Sequence, residues 1–214
     1  DADPTCRRKA LVIGNNYEGG ERAPLLSCIK DAIEMGAALS AGGSATVVCT
    51  NLSKSAMEET IQIFVAALNP GDVAILYFSG HMVECGGRPY FVPIGAASSL
   101  TRDAMVSLHA VQACIMGKLG PDDFKIFLLD GCRVHRDDES SAGERDVDDD
   151  FTACVKEATN LYTLWATAPT ASAFGGHSAD AMSPWTNALV PLVKASPPIE
   201  LRDIAARLVD SQKT

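Results

Sequence analysis

Two side chains able to do covalent chemistry sit at matching places in this 214-residue chain. His81 closes the run Tyr77-Phe78-Ser79-Gly80-His81, and Cys132 closes Leu128-Leu129-Asp130-Gly131-Cys132. Each follows an apolar segment that reads as a buried strand, then a glycine at which the chain can turn. A thiol attacks only as its thiolate, and a nearby imidazole is the usual way of generating one. Parallel, adjacent strands would place the two residues across one crevice at the strand ends, where open α/β sheets keep their sites. The remaining histidines (His109, His135 and His177) and the thiols Cys49, Cys114 and Cys154 lack that context. They read as ordinary surface or core histidines and as buried, inert thiols.

The elements that must position this pair alternate along the chain. Arg8–Gly14, Ala45–Cys49, Asp72–Phe78, Phe124–Leu129 and Asn160–Thr167 read as strands, with a shorter one at Tyr90–Pro93. Ser27–Leu39 carries Cys28, Ile29, Ala32, Met35 and Leu39 at helical spacing, between Pro24 and Gly42-Gly43. Further helices are expected at Ser53–Leu68, Ser107–Leu119, Trp185–Lys194 and Ile199–Val209, with Ser53 as an N-cap. Residues 133–150 are polar and acidic and read as one long loop. Strand–helix alternation of this kind predicts an α/β domain, a mostly parallel central sheet with helices on both faces.

Composition narrows the class. With 47% hydrophobic and 21% charged residues the chain reads as a globular domain, and no 18-residue apolar run suggests a membrane span. A net charge of −9 argues against a nucleic-acid partner and is compatible with steering a cationic substrate. The seven cysteines are odd in number and irregularly spaced, with no CxxC pair, so neither a disulfide framework nor a zinc site is expected. A reducing, cytoplasmic setting fits that usage. The sequence opens on Asp1-Ala2-Asp3-Pro4, as a domain cut from a longer protein would.

Five short motifs, in order, resemble those of the caspase-like cysteine peptidases, and specifically the paracaspase and metacaspase branch. Leu26-Ser27-Cys28-Ile29-Lys30-Asp31-Ala32 is similar to the start of the first metacaspase helix, and Tyr77–His81 to the histidine motif. Phe91-Val92-Pro93 follows that motif as it does in the family, and Trp165-Ala166-Thr167-Ala168 is similar to the strand after the nucleophile. Leu128-Leu129-Asp130-Gly131-Cys132-Arg133 is closer to the paracaspase form than to the metacaspase one. The likeness runs from about Arg8 to Leu208, so it covers nearly the whole chain.

The resemblance implies a single caspase-like domain over 1–214. A large-subunit-like part would reach about 135, an acidic loop would span about 136–150, and a small-subunit-like part would complete it. It implies Cys132 as nucleophile, His81 as general acid and base, and an oxyanion hole from the backbone N–H groups of Met82 and Cys132. Asp31 and Asp130, with Cys28 beside them, would form an acidic S1 pocket, so the expected substrates are peptides with Arg or Lys at P1. Met82 stands where the family usually has glycine, a possible strain if that backbone needs a glycine-only conformation. That departure is the best support for the other reading, a weak or inactive caspase-like scaffold. The acid that some paracaspases carry after the fifth strand is absent from Ala171-Ser172-Ala173-Phe174. No cofactor is expected. The Asp146–Asp150 run could suggest Ca²⁺, but consecutive loop acids are more often solvated charge, and a calcium requirement is not favoured. Arg136 and Arg145 are candidate self-cleavage points, and a homodimer is possible.

Overall fold

The computed structural model describes residues 8–21, 23–97, 100–131, 134–136, 160–166, 180–195, 203–204 and 207–208. The core is a five-stranded sheet in the order β2-β1-β3-β7-β9, formed by β1 (Arg8–Gly14), β2 (Ala45–Thr50), β3 (Val73–Ser79), β7 (Lys125–Asp130) and β9 (Leu161–Trp165). Every pairing in it is parallel. Among the described residues, helices with defined bounds accompany it: α1 (Cys28–Ala41), α2 (Lys54–Ala67), α3 (Leu108–Lys118) and α4 (Pro184–Val193). The mostly parallel α/β architecture read from the alternation is present.

Strand periodicity assigns the two faces. Leu11, Ile13, Leu76, Phe78, Phe127 and Leu129 pack with Met57, Ile61 and Phe64 of α2 and Val111 and Ile115 of α3. Their neighbours in sequence, Val12, Tyr77 and Leu128, pack on the other side with Ala32 and Met35 of α1 and Trp185 and Leu189 of α4. Because side chains alternate with period two, Ser79 and Asp130 follow Tyr77 and Leu128 onto the α1/α4 face. The register sets these two residues directly opposite each other at the carboxyl ends of β3 and β7.

The helices begin where the sequence indicates. Ser53, Ser107 and Ser183 are N-caps whose hydroxyls accept from Ala56, Ala110 and Thr186 amides. Gly14 lets α1 close on the end of β1, since a Cβ there would come within 2.2 Å of the Cys28 carbonyl oxygen. No helix among the described residues is long and apolar enough to cross a membrane.

A second sheet was not foreseen. Its order is β6-β5-β4-β8, from β4 (Met82–Cys85), β5 (Arg88–Phe91), β6 (Val106–Ser107) and β8 (Val134–Arg136). Strands this short carry too few residues for alternation to show. The small strand expected at Tyr90–Pro93 is β5, placed two residues earlier. Residues 134–136, expected within a loop, run parallel to β4, Val83 facing Val134 and Cys85 facing Arg136. Two thiols also differ from expectation: Cys114 is exposed and Cys49 half-buried. Cys114 lies off the α3 stripe that meets the sheet, and Cys49 sits on edge strand β2, distinctions that apolar composition alone cannot make. Asp203, Ile204, Arg207 and Leu208 are helical, and the rest of the expected last helix lies outside the described residues.

Candidate active site

The carboxyl ends of β1, β3 and β7 gather the candidate residues into two adjoining groups. The first is acidic. Asp31, in the first turn of α1, is fully buried, and Asp130 is 5% exposed. The Ser79 hydroxyl donates to Asp31 Oδ2 at 2.9 Å, and the Ser183 amide donates to Asp31 Oδ1 at 2.7 Å. The Ser183 hydroxyl also donates to Asp130 Oδ2, which accepts from the Thr186 hydroxyl at 2.7 Å as well. Tyr77 and Thr186 share a hydrogen bond of 2.6 Å beneath them. Residue 183 therefore clasps the two carboxylates from the N-terminus of α4.

Electrostatics marks this pair as incomplete. Burial, and next the charge on Asp130, push the Asp31 carboxyl up to about 7 from the usual 3.8. Burial raises Asp130 too, against the lowering effect of the Ser183 and Thr186 hydroxyls. Burial carries the Cys28 thiol to about 12, so it is neutral and inert as a nucleophile. Serine and threonine hydroxyls and a backbone amide oppose these shifts, and among the described residues no lysine or arginine is a cause of either shift. Cys28, Asp31 and Asp130 are thus brought together, as the sequence indicated, while Ser79, Ser183 and Thr186 were not anticipated. Ser79 was within reach of a parity argument from Tyr77. The two α4 residues were not, because nothing local says what that helix docks against.

The second group surrounds His81, which is half-buried just past β3. Its Nε2 lies 2.9 Å from the Ala23 carbonyl oxygen. A carbonyl only accepts, so Nε2 carries the proton and Nδ1 is the basic nitrogen. The His81 amide donates to the Tyr17 hydroxyl at 2.9 Å, and that hydroxyl donates to the Val92 carbonyl at 2.6 Å. The Tyr17 and His81 rings lie 4.4 Å apart between centroids. Gly80 makes room for this, since a Cβ there would sit 2.9 Å from the Tyr17 hydroxyl.

Met82 begins β4 in extended backbone and is not among the non-glycine residues with positive φ. The glycine-only conformation considered from the sequence is not required there. Its side chain is 2% exposed, packs in the α2/α3 core and covers Gly131. The Val92 amide bonds the His81 carbonyl at 3.0 Å, so Met82 and Phe91 form a non-hydrogen-bonded pair. The Met82 N–H consequently points away from β5, towards the edge that β8 occupies.

Cys132 and Arg133 lie outside the described residues, as do Arg145, the Asp146–Asp150 run and Ala171–Phe174. Both flanks of Cys132 are placed. The Asp130 carbonyl accepts from the Gly80 amide at 3.2 Å, and Val134 opposes Val83 on β4. The chain on either side of Cys132 is thereby held against the segment that carries His81. Among the described residues no group of three His, Cys, Asp or Glu could hold a metal ion.

Residues 7–210 match the caspase domain. The chain belongs to the caspase family. Its motifs place it on the paracaspase-like side, and two curated relatives agree. It is 26% identical over 166 residues to human mucosa-associated lymphoid tissue lymphoma translocation protein 1, covering 77% of this chain and 19% of that protein. The mouse homolog is 23% identical over 171 residues, covering 80% and 20%. This caspase domain thus spans about a fifth of the length of the relatives it matches. A crystal structure of a Geobacter sulfurreducens protein shares the fold with a TM-score of 0.67 at 16% identity, covering 95% of this chain and 88% of the other.

Proposed function

We propose that this caspase domain is a cysteine endopeptidase that cleaves peptide bonds after Arg or Lys. The observation that carries the reading is the buried pair Asp31 and Asp130, to which no cation among the described residues contributes, at the mouth of β3 and β7. Taking two carboxyls out of water is costly, and a structural ion pair would hold its own counter-charge. A pair without one suits a cation that arrives with the substrate, and a P1 guanidinium or ammonium supplies it.

The chemistry follows from the neighbours of that pair. His81 stands two residues past Ser79 and Cys132 two residues past Asp130 in sequence, so in this mechanism a P1 side chain seated on the acids carries its carbonyl towards the ends of the two strands from which both residues follow. In this mechanism the Cys132 thiolate attacks the carbonyl carbon, and the oxyanion accepts from the Met82 and Cys132 amides. The direction of the Met82 N–H supports that role. His81 Nδ1 takes the Cys132 thiol proton and gives it to the leaving amine, then takes one from the water that hydrolyses the acyl-enzyme and returns it to the departing thiolate.

The test is hydrolysis of fluorogenic peptides with P1 Arg, Lys, Asp or Asn, with and without Ca²⁺, by wild type and Cys132→Ala. Cleavage after Arg or Lys that is lost in Cys132→Ala is the expected result. A folded wild type that cleaves none of them, or cleaves after Asp instead, would overturn the reading.

A further inference from the structure

The structure assigns Tyr17 a role beyond packing: we infer that it is the positioning residue for His81, fixing the imidazole in the tautomer and orientation that the thiol needs. This rests on His81 being the acid–base residue, and the test below is built to fail separately from that reading.

Three observations converge on Tyr17. Its hydroxyl is a two-way connector, accepting from the His81 amide at 2.9 Å and donating to the Val92 carbonyl at 2.6 Å. The turn that bears His81 is thereby tied to the segment after β5. Its ring lies against the imidazole, 4.4 Å between centroids and tilted by 46°. Its backbone has φ of 62°, which side chains larger than glycine rarely adopt. Such a conformation persists only where the surroundings impose it, and it concentrates at functional sites.

Those surroundings are visible. The Asn16 amide donates to Asn51 Oδ1 at 2.9 Å, and Asn16 Oδ1 accepts from the Ile29 amide at 3.1 Å. The Leu25 amide bonds the Asn16 carbonyl at 2.7 Å, closing the 17–25 loop at its base. The same loop supplies the Ala23 carbonyl to His81 Nε2. One loop therefore grips the histidine at its amide, its ring face and its Nε2. A tyrosine serving only the core would need neither the left-handed backbone nor a hydroxyl that holds the backbone of the histidine turn.

The experiment uses the full chain with Tyr17→Phe and Tyr17→Leu. Phe keeps the ring and removes the connector, and Leu removes both. Ser53→Ala, which loosens the N-cap of α2 away from the site, controls for stability alone. In the Cys132→Ala background, ¹⁵N NMR of His81 reads its tautomer without any turnover. The expected wild-type signature is a single Nε2–H form, averaging towards the two tautomers in Tyr17→Leu. With P1-Arg peptides, Tyr17→Phe is expected to lower kcat ten- to a hundredfold with KM within threefold, and Ser53→Ala to change neither. An unchanged kcat in folded Tyr17→Phe, or an unchanged tautomer pattern in Tyr17→Leu, overturns the assignment. If Tyr17→Leu fails to fold, Tyr17→Phe carries the NMR test with the same criteria. If the wild type hydrolyses nothing, the tautomer measurement still decides for or against Tyr17.

Discussion

The acidic pocket and the histidine turn lie side by side, yet they are held by opposite means. Asp31 and Asp130 are fixed by side-chain hydroxyls and one amide from β3 and the N-terminus of α4, and both are buried. His81 is half-buried and fixed largely by backbone groups and one phenol: the Ala23 carbonyl at its Nε2, the Val92 amide at its carbonyl, and the Tyr17 hydroxyl at its own amide. The pocket keeps two carboxyls out of water, so it needs donors of fixed geometry. The turn must keep one nitrogen basic and let the ring exchange protons, so it is anchored at its other nitrogen and left partly open. On the proposed reading, specificity is rigid and buried, and proton transfer is tethered and accessible. Substitutions in the two regions should separate binding from chemistry.

The largest effect is expected from Asp31→Asn. Removing one member of a buried charge contact costs about 2–5 kcal/mol. That corresponds to about 30- to several-thousand-fold in kcat/KM for P1-Arg peptides at about 1.4 kcal/mol per tenfold. Alkylation of Cys132 by iodoacetamide should stay within about twofold of wild type, since the histidine turn is untouched. Loss of both together would show that pocket and turn are one unit.

The second effect is a pH dependence that belongs to the pocket alone. Asp31 titrates near 7 and must be ionised to meet a cation. Binding of a P1-Arg peptide to Cys132→Ala, measured by calorimetry, should therefore tighten about tenfold between pH 6 and pH 8. Stability runs the other way. The folded state keeps a proton on Asp31 that the unfolded chain has released, so this contribution is complete below about 4 and lost as pH rises through about 7. Without ligand, Tm should fall over that window in wild type and flatten in Asp31→Asn. A binding curve that is level from pH 6 to 8 would remove Asp31 from the cation site.

Third is Thr186→Val, which deletes one of the two hydroxyl donors to Asp130 and leaves the other. Loss of a buried donor to a charged group costs about 1–3 kcal/mol. Tm should drop accordingly. KM for P1-Arg should rise severalfold at unchanged kcat, the mirror image of the split expected for Tyr17→Phe.

The same contrast explains what could be read from the sequence. The sheet was legible because β1, β3 and β7 are buried on both faces and therefore near-continuously apolar. Asp31, Asp130, His81 and Cys28 were legible because each sits in a motif with a fixed offset from a strand end or helix start. Ser183 and Thr186 were not, since they act across more than fifty residues from Asp130 through the docking of α4. Tyr17 and Ala23 were hidden differently. One lies in a polar turn after β1, and the other contributes only a carbonyl, which every residue possesses. The second sheet escaped because β6 has two residues and β8 three.

The smallest effect on kcat/KM is expected from Met82→Gly, although that change restores the residue usual in the family. Were the position one that only glycine can occupy without strain, the substitution would raise activity. The backbone here is an ordinary strand, paired with Phe91, and its N–H already points to the β8 edge. Glycine therefore adds nothing to the direction of that amide. It removes a side chain that is 2% exposed, packed in the α2/α3 core and resting on Gly131. Emptying such a site costs about 2–5 kcal/mol, with a further contribution of up to about 1 kcal/mol for glycine in a strand. Thermal denaturation should show a clearly lowered Tm, while kcat of the folded fraction below the transition should stay within about threefold of wild type. A gain of tenfold or more in kcat would mean that the methionine restrains the oxyanion site, and the division between a rigid pocket and a tethered, unstrained turn would have to be redrawn.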